Sequence, residues 1–448
     1  MSPPGVALGL GFLALATAFL ASHGFDPGER RLERRHAVAT SGDEPHYLII
    51  LHSLLFDGDL QLEDEYAAAA AGGIAAGSAR RGEVLDHHTY FVDAATGDTA
   101  LWQNHFDYTE RVSCDEPGCI PFRPTRPLPF EVDSGGVEVP AHPPAFPALL
   151  AAALRPFAVA PEGVEGAAAV VLYAISIATL GLSFAVGLAA GLGPTWSLLA
   201  TGVLALASPW LPYGKAFFPE TTVGLAVTAA LLFVLTGSFA LAGVGLGLAV
   251  VLKPAFAVVA VAWIAERWLA GDRRAAARLI LPMAVIGMGL LAFNAAVLGP
   301  LAIIGATGSR SGNPFLGALR TLFDPGLGVL LFAPWVVLAV PALFEHSADR
   351  DRPQVGRLAL VSLALYFPLI SIPWALGADC YGPRYWVAFM PWLSVLAADT
   401  ARRGGRRLRA VAAVLALAGA AIAIPAVLQY ADVWGKPPWR ALVNLAVR

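Results

Sequence analysis

Charge is what this 448-residue chain has least of. Asp, Glu, Lys and Arg make up 14% of it, against 57% hydrophobic residues and a mean hydropathy of +0.63. An ordinary soluble domain carries about 25% charged residues. The shortage excludes a soluble enzyme on a single anchor and implies a polytopic membrane protein. The first apolar run, roughly residues 5–22, lacks both flanking positive charge and a convincing small-residue cleavage site. It is expected to stay as a transmembrane helix rather than be removed as a signal peptide. The arginines are scattered among short loops between apolar segments, which argues against a nucleic-acid partner. No internal repeat is evident, which weakens an inverted-repeat transporter. Cysteine is scarce too, at three residues. Cys114 and Cys119 flank Asp-Glu-Pro-Gly, a turn able to bring them within bridging distance. A disulfide and two free thiols are both open, and a bridge would require an oxidising compartment. Cys380 stands alone.

The charge that is present is segregated. Residues 22–165 hold 23 of the 33 acidic residues but only 10 of the 30 basic ones, and eight of the nine histidines precede Pro143. The polar chemistry therefore sits in one large acidic loop. Four regions follow: a first transmembrane helix (1–22), a loop (23–165), a helix bundle (166–430) and a C-terminal tail (431–448). Within the loop, Tyr47–Phe56 is apolar but too short to cross about 30 Å of hydrocarbon, so an interfacial helix is expected. Ala145–Ala160 reads as a second one. Residues 67–77 are low-complexity Ala/Gly, and the proline-rich stretch 121–147 is expected to be extended. Ten further apolar segments follow, at roughly 166–190, 196–212, 219–236, 238–252, 254–269, 279–304, 326–344, 357–376, 385–400 and 409–429. With the first helix, about eleven spans are expected.

Orientation follows from arginine. Arg267, Arg273, Arg274 and Arg278 mark one loop, Arg350, Arg352 and Arg357 a second, and Arg402, Arg403, Arg406, Arg407 and Arg409 a third. All three fall on one side if residues 238–269 form two short helices turning at Lys253-Pro254, and the positive-inside rule makes that side cytoplasmic. The acidic loop, the Lys253 turn, the 377–384 loop and the C-terminal tail then lie outside. That assignment gathers Asp43, Glu44, His142, Tyr213, Lys215, Glu220, Lys253, Asp379, Tyr381 and Arg384 at the external face. Ionisable groups at a membrane boundary are costly to hold and usually have a task.

Several of these residues form short motifs: Asp43-Glu44-Pro45-His46-Tyr47 beyond the first helix, His142-Pro143-Pro144, Tyr213 through Pro219-Glu220, Lys253-Pro254, and Tyr381-Gly382-Pro383-Arg384-Tyr385. In order and placement they resemble the GT-C class of membrane glycosyltransferases, especially bacterial relatives of protein O-mannosyltransferases and of lipid A aminoarabinose transferases. The chain departs from that pattern in the nearly one hundred residues between Asp43 and His142. The resemblance implies an all-α polytopic fold with a large first extracytoplasmic loop bearing amphipathic helices. It also implies an inner-membrane enzyme that moves a sugar, with inversion, from a polyprenyl-phosphate-linked donor to a lipid, glycan or protein acceptor at the extracytoplasmic face.

A phosphate leaving group departs as an anion and needs no second carboxylic acid to protonate it. One base must take the acceptor's proton, and Asp43 is assigned that role. Lys253 and Arg384 are the candidates for holding the departing phosphate. Glu44, His142, Tyr213, Lys215, Glu220 and Tyr381 are candidate substrate-binding residues. Each has a plainer reading. Glu44 could be a structural partner or metal ligand, His46 a packing residue, His142 the anchor of the Pro-Pro turn and Glu220 a cap for the helix starting there. Lys253 could snorkel, Arg384 could pair with Asp379, and the tyrosines could be interfacial belt aromatics. No cofactor is expected. Asp86, His87, His88, His105 and Asp107 fit no tight zinc spacing, though a divalent metal is not excluded. Gly243-x-Gly245-x-Gly247 lies in an apolar helix, where it suits helix packing rather than a dinucleotide loop. Two competing functions are a transporter or flippase of lipid-linked substrates and a non-catalytic scaffold of the same fold.

Overall fold

A computed structural model describes residues 2–26, 31–34, 43–70, 88–92, 99–103, 106–111, 122–124, 137–298, 313–348, 354–372, 381–433 and 436–447. Its first elements are α1 (Pro3–Ser22), β1 (His23–Asp26), β2 (Arg31–Arg34), α2 (Glu44–Phe56), α3 (Glu63–Ala70), β3 (His88–Val92), β4 (Thr99–Gln103), β5 (Phe106–Arg111), β6 (Phe122–Pro124), β7 (Val137–Pro140) and α4 (Ala145–Leu154). From there the chain is helical: α5 (Val164–Ala189), α6 (Pro194–Leu206), α7 (Trp210–Tyr213), α8 (Glu220–Leu235), α9 (Phe239–Leu252), α10 (Ala257–Leu269) and α11 (Arg273–Leu298). It ends with α12 (Pro314–Phe323), α13 (Val329–Phe332), α14 (Ala339–Ala348), α15 (Val355–Ser371), α16 (Met390–Arg403), α17 (Arg406–Leu428) and α18 (Arg440–Val447).

Each of the eleven expected apolar segments contains a helix. Among the described residues, four helical stretches are long and apolar enough to cross a membrane: Pro3–Ser22, Pro161–Ala189, Arg273–Ala296 and Arg406–Leu428. Twenty residues at 1.5 Å each reach about 30 Å, the thickness of a hydrocarbon core. Their apolar side chains point outward: Leu8, Phe12 and Leu15 on α1, Leu281, Val285 and Leu291 on α11, and Val411, Val414 and Leu417 on α17 are all exposed. Rows of exposed apolar side chains on such rods call for lipid rather than water as the solvent. The chain is a multi-pass membrane protein dominated by helix.

The described chain divides into two compact units. The helical unit comprises residues 1–36, 172–287 and 309–448. In it α8 lies along α9, α10 along α15, and α16 against both α6 and α14. The glycine stripe of α9 permits close approach. A methyl group on Gly245 would sit 2.8 Å from the Ala226 carbonyl oxygen of α8, and one on Gly247 would sit 2.8 Å from Ile286 of α11. Small residues serve this purpose between membrane helices. After α9 the backbone turns extended at Lys253 (φ −151°, ψ 99°). Proline disfavours helical geometry in the residue before it, so Pro254 ends α9 and starts the turn into α10. Gln429 donates from Nε2 to the Ala441 carbonyl and ties down α18, a helix that the tail's sequence did not suggest.

The second unit comprises residues 37–171 and 288–308. Here the structure corrects one expectation and adds a feature that the sequence did not suggest. Residues 44–53 of α2 are buried all round, not on one face as an interfacial helix would be. Both α4 and α3 pack on it. The loop also forms sheet: β3 lies between β4 and β7, antiparallel to both. Its strands carry the β-branched and aromatic residues that favour a pleat, among them Thr89, Tyr90, Phe91, Val92, Trp102, Val137 and Val139. Thr89 Oγ1 donates to Glu138 Oε1 at 2.6 Å across the buried β3–β7 pair. The Leu62 N–H donates to the Glu138 carbonyl at 2.9 Å, joining the segment after α2 to β7. Asp86, His87, His105, Cys114, Cys119, Asp379 and Cys380 lie outside the described residues.

Candidate functional site

Asp43 occupies the N-cap position of α2. Its carbonyl accepts the Tyr47 N–H at 3.2 Å, while its side chain makes no capping hydrogen bond. Pro45 is compatible with the first turn, where an N–H would have no intrahelical partner, and Glu44 suits the positive end of the helix. Opposite Asp43 stands His142, its Nε2 4.0 Å from Asp43 Oδ1. β7 carries the chain to this histidine. Pro143-Pro144 then starts α4, whose Phe146 meets Tyr47 edge-on at 5.4 Å. The His142 ring stacks on His46 (centroids 5.6 Å, 22°) and leans on Tyr47 at 5.1 Å. His46 Nδ1 lies 2.7 Å from the Tyr66 hydroxyl of α3. The result is a carboxylate 27% exposed at its side chain, backed by an ordered wall of two imidazoles and two phenols. Glu44 is fully buried behind it.

The helical unit holds a second cluster of opposite character. Lys253 Nζ donates to Glu220 Oε1 at 2.6 Å, and Arg384 Nε donates to the same oxygen at 2.7 Å. Glu220 is only 2% exposed at its side chain. The other oxygen, Oε2, finds no donor among the described residues. Aromatic faces back both cations: Lys253 Nζ lies 4.6 Å from the Tyr385 ring centre, and the Arg384 guanidinium 4.0 Å from that of Phe218. Two cations and one carboxylate leave one net positive charge, a suitable host for an anion. Glu220 thus begins α8, as its helix-cap reading expected, but its side chain acts as the counter-ion of Lys253 and Arg384.

The remaining candidates frame this cluster. Tyr213 is buried and donates its hydroxyl to the Tyr381 carbonyl at 2.8 Å. Tyr381, also buried, meets Phe332 edge-on at 5.2 Å. Gly382 follows at φ +53°, a left-handed conformation, and a methyl group there would sit 2.7 Å from the Phe332 ring. That reversal delivers Arg384 to Glu220. Lys215, nearly buried, donates to the His23 carbonyl at 3.3 Å, tying the 214–219 turn to the end of α1. Asp43, Glu44 and His142 thus come together in one unit, and Tyr213, Lys215, Glu220, Lys253, Tyr381 and Arg384 belong to the other. Sequence reasoning missed Tyr66 and Phe218, though Phe218 lies inside the Tyr213–Glu220 motif; Tyr385, the last residue of the Tyr381–Tyr385 motif, was weighed only as a belt aromatic or sugar platform.

No protein-family model matches the sequence, and no curated protein does either. Two solved structures share the fold. ArnT from Cupriavidus metallidurans in the apo state superposes with a TM-score of 0.54 at 16% identity, over 92% of this chain. The chain spans 63% of that protein's length. ArnT from the same organism bound to undecaprenyl phosphate gives a TM-score of 0.54 at 15% identity, covering 100% of this chain and 77% of the other. Identities this low establish the fold alone. In fold, this chain is a structural neighbour of ArnT, a lipid A aminoarabinose transferase and GT-C glycosyltransferase, in keeping with the order of its motifs.

Proposed function

We propose that this protein is an integral membrane glycosyltransferase. It takes a sugar from a polyprenyl-phosphate-linked donor and passes it, with inversion, to a lipid, glycan or protein acceptor at the extracytoplasmic face of the inner membrane. The observation that carries this reading is the fold likeness, over the whole chain, to ArnT bound to undecaprenyl phosphate. The Asp43 cluster supports it by supplying a partly exposed carboxylate on a rigid backing. The eleven apolar helical segments are read as spans.

The chemistry is a single displacement. The acceptor hydroxyl oxygen forms a bond to the anomeric carbon, and the bond from that carbon to the phosphate oxygen breaks. The bonding pair leaves with the polyprenyl phosphate. Asp43 receives the hydroxyl proton, a contribution of about 10²–10⁴-fold. His142 and Glu44 hold the base in place. Lys253 and Arg384 provide the positive charge that a departing phosphate requires, and Glu220 fixes their direction. Tyr213, Lys215 and Tyr381 support that pair from within the fold.

The test begins with the protein purified in native lipid and the lipid-linked sugar that copurifies, identified by mass spectrometry. That lipid is then offered to wild-type protein and to Asp43→Asn in proteoliposomes. Transfer should fall by about 10²–10⁴-fold in the variant. Undiminished transfer would remove Asp43 from its role, and accumulation of lipid without a covalent product would favour a transporter.

A further inference from the structure

Asp57, just beyond the C-terminus of α2, and Asp64 and Glu65, in the first turn of α3, bring their carboxylates together. One oxygen from each lies within 4.8 Å of the other two. Acidic groups often crowd at a surface without consequence, and Asp57 and Asp64 are exposed. Glu65 is different. The residue is 4% exposed, and neither of its carboxylate oxygens finds a hydrogen-bond donor among the described residues. Burying a carboxylate without a partner is heavily unfavourable. Neighbouring Asp59 is otherwise engaged: its Oδ1 accepts from Ser53 Oγ at 3.2 Å and from the Gln61 N–H at 3.0 Å, which shapes the connecting loop.

We propose that Asp57, Asp64 and Glu65 bind a divalent cation of the hard, oxygen-preferring class, with calcium the best fit. The donor set is all carboxylate, with no histidine or cysteine, which selects calcium, magnesium or manganese over zinc or copper. Calcium–oxygen distances of 2.3–2.6 Å place opposite ligands about 5 Å apart, so all three oxygens can reach one ion as they stand. Waters and backbone carbonyls would complete the shell. A cation held among the three carboxylates would relieve their crowding.

The ion is a staple rather than a reactant. α2 rises about 20 Å over its thirteen residues, so Asp57 stands at the opposite end from Asp43. The ion would join the end of α2 to the start of α3. The residue after Glu65 is Tyr66, whose hydroxyl lies 2.7 Å from His46 Nδ1. His46 in turn stacks on His142 beside Asp43. Fixing α3 therefore fixes the wall behind Asp43.

The test needs no substrate, so it stands or falls apart from the transferase reading. Full-length protein in lipid nanodiscs is stripped with EDTA, and its Tm is followed as calcium, magnesium or manganese is added. The wild type should show a saturable rise with at least one ion. The midpoint should weaken by at least about tenfold, the lower end of what losing even an outer-shell partner costs, in both Asp57→Asn and Glu65→Gln. Asp57 is exposed, so its variant keeps the fold and isolates ion binding from stability. A wild type without a saturable rise overturns the proposal, and so does an unchanged midpoint in both variants.

Discussion

The Asp43 and Glu220 clusters hold their carboxylates in opposite ways. Glu220 lies under two cations at 2.6 and 2.7 Å, almost sealed from solvent. Asp43 is partly open, and the ring of His142 is 4.0 Å away. A carboxylate held by two charge-assisted hydrogen bonds is a poor proton acceptor. One that is partly open, with an imidazole 4.0 Å away, is better placed to accept a proton and release it again. Acidity alone therefore does not identify a base among the 33 acidic residues of the chain. The setting does: Glu220, held by two cations, is architecture, whereas Asp43 is the base of the proposed transfer.

The sharpest way to break this contrast is a pair of variants. Glu220→Gln leaves two cations facing each other in a buried site and should lower stability by about 3–5 kcal/mol. Adding Lys253→Met should restore part of that loss, read as Tm in nanodiscs. Asp43→Asn should reverse the pattern, with stability within about 0.5 kcal/mol of wild type despite the large fall in transfer. Equal Tm losses in the two variants would erase the distinction. His142→Ala comes next. It removes a stacked ring worth about 0.5–1.5 kcal/mol of packing. A comparable rise in the barrier would slow transfer about tenfold, with the KM for donor unchanged. Tyr66→Phe removes one hydrogen bond from the wall and should cost about 0.5–1.5 kcal/mol, with a smaller kinetic effect than His142→Ala.

The smallest effect concerns pH. Desolvation lowers the pKa of buried His52, against an upward pull from Asp57. The fold therefore favours the neutral ring, while the unfolded chain takes up a proton near about pH 6.5. Stability carried by the neutral ring is present above that value and declines as the pH falls below it. His52→Gln should flatten the acid side of a Tm-against-pH curve, and an unchanged slope would show that this histidine is not a source of the decline.

Much of this was legible in the sequence. Hydropathy located the apolar helices, and the Pro254 break followed from how proline restricts the preceding residue. Asp43 and His142 stood out by their place beyond the first helix and by the order of motifs in the GT-C resemblance. The partnerships were not legible, because they join distant parts of the chain. Glu220 meets Lys253 across 33 residues and Arg384 across 164. His46 reaches Tyr66 across a turn and 20 residues. The β4–β3–β7 sheet draws its third strand from more than 30 residues beyond the hairpin, inside a stretch whose prolines and glycines masked Val137–Pro140. The burial of α2 was hidden for the same reason. Its apolar residues were visible, but its packing partners lay in elements the sequence did not announce.

The reversal at Gly382 has a consequence for heredity. The bend that brings Arg384 to its counter-ion depends on a side chain of a single hydrogen atom, at a left-handed backbone angle against the face of Phe332. Only asparagine and aspartate among larger residues visit that region with any regularity, and here the ring also stands in the way. A saturation library at codon 382, selected for growth that needs this protein, should therefore return glycine almost alone, while neighbouring codons drift.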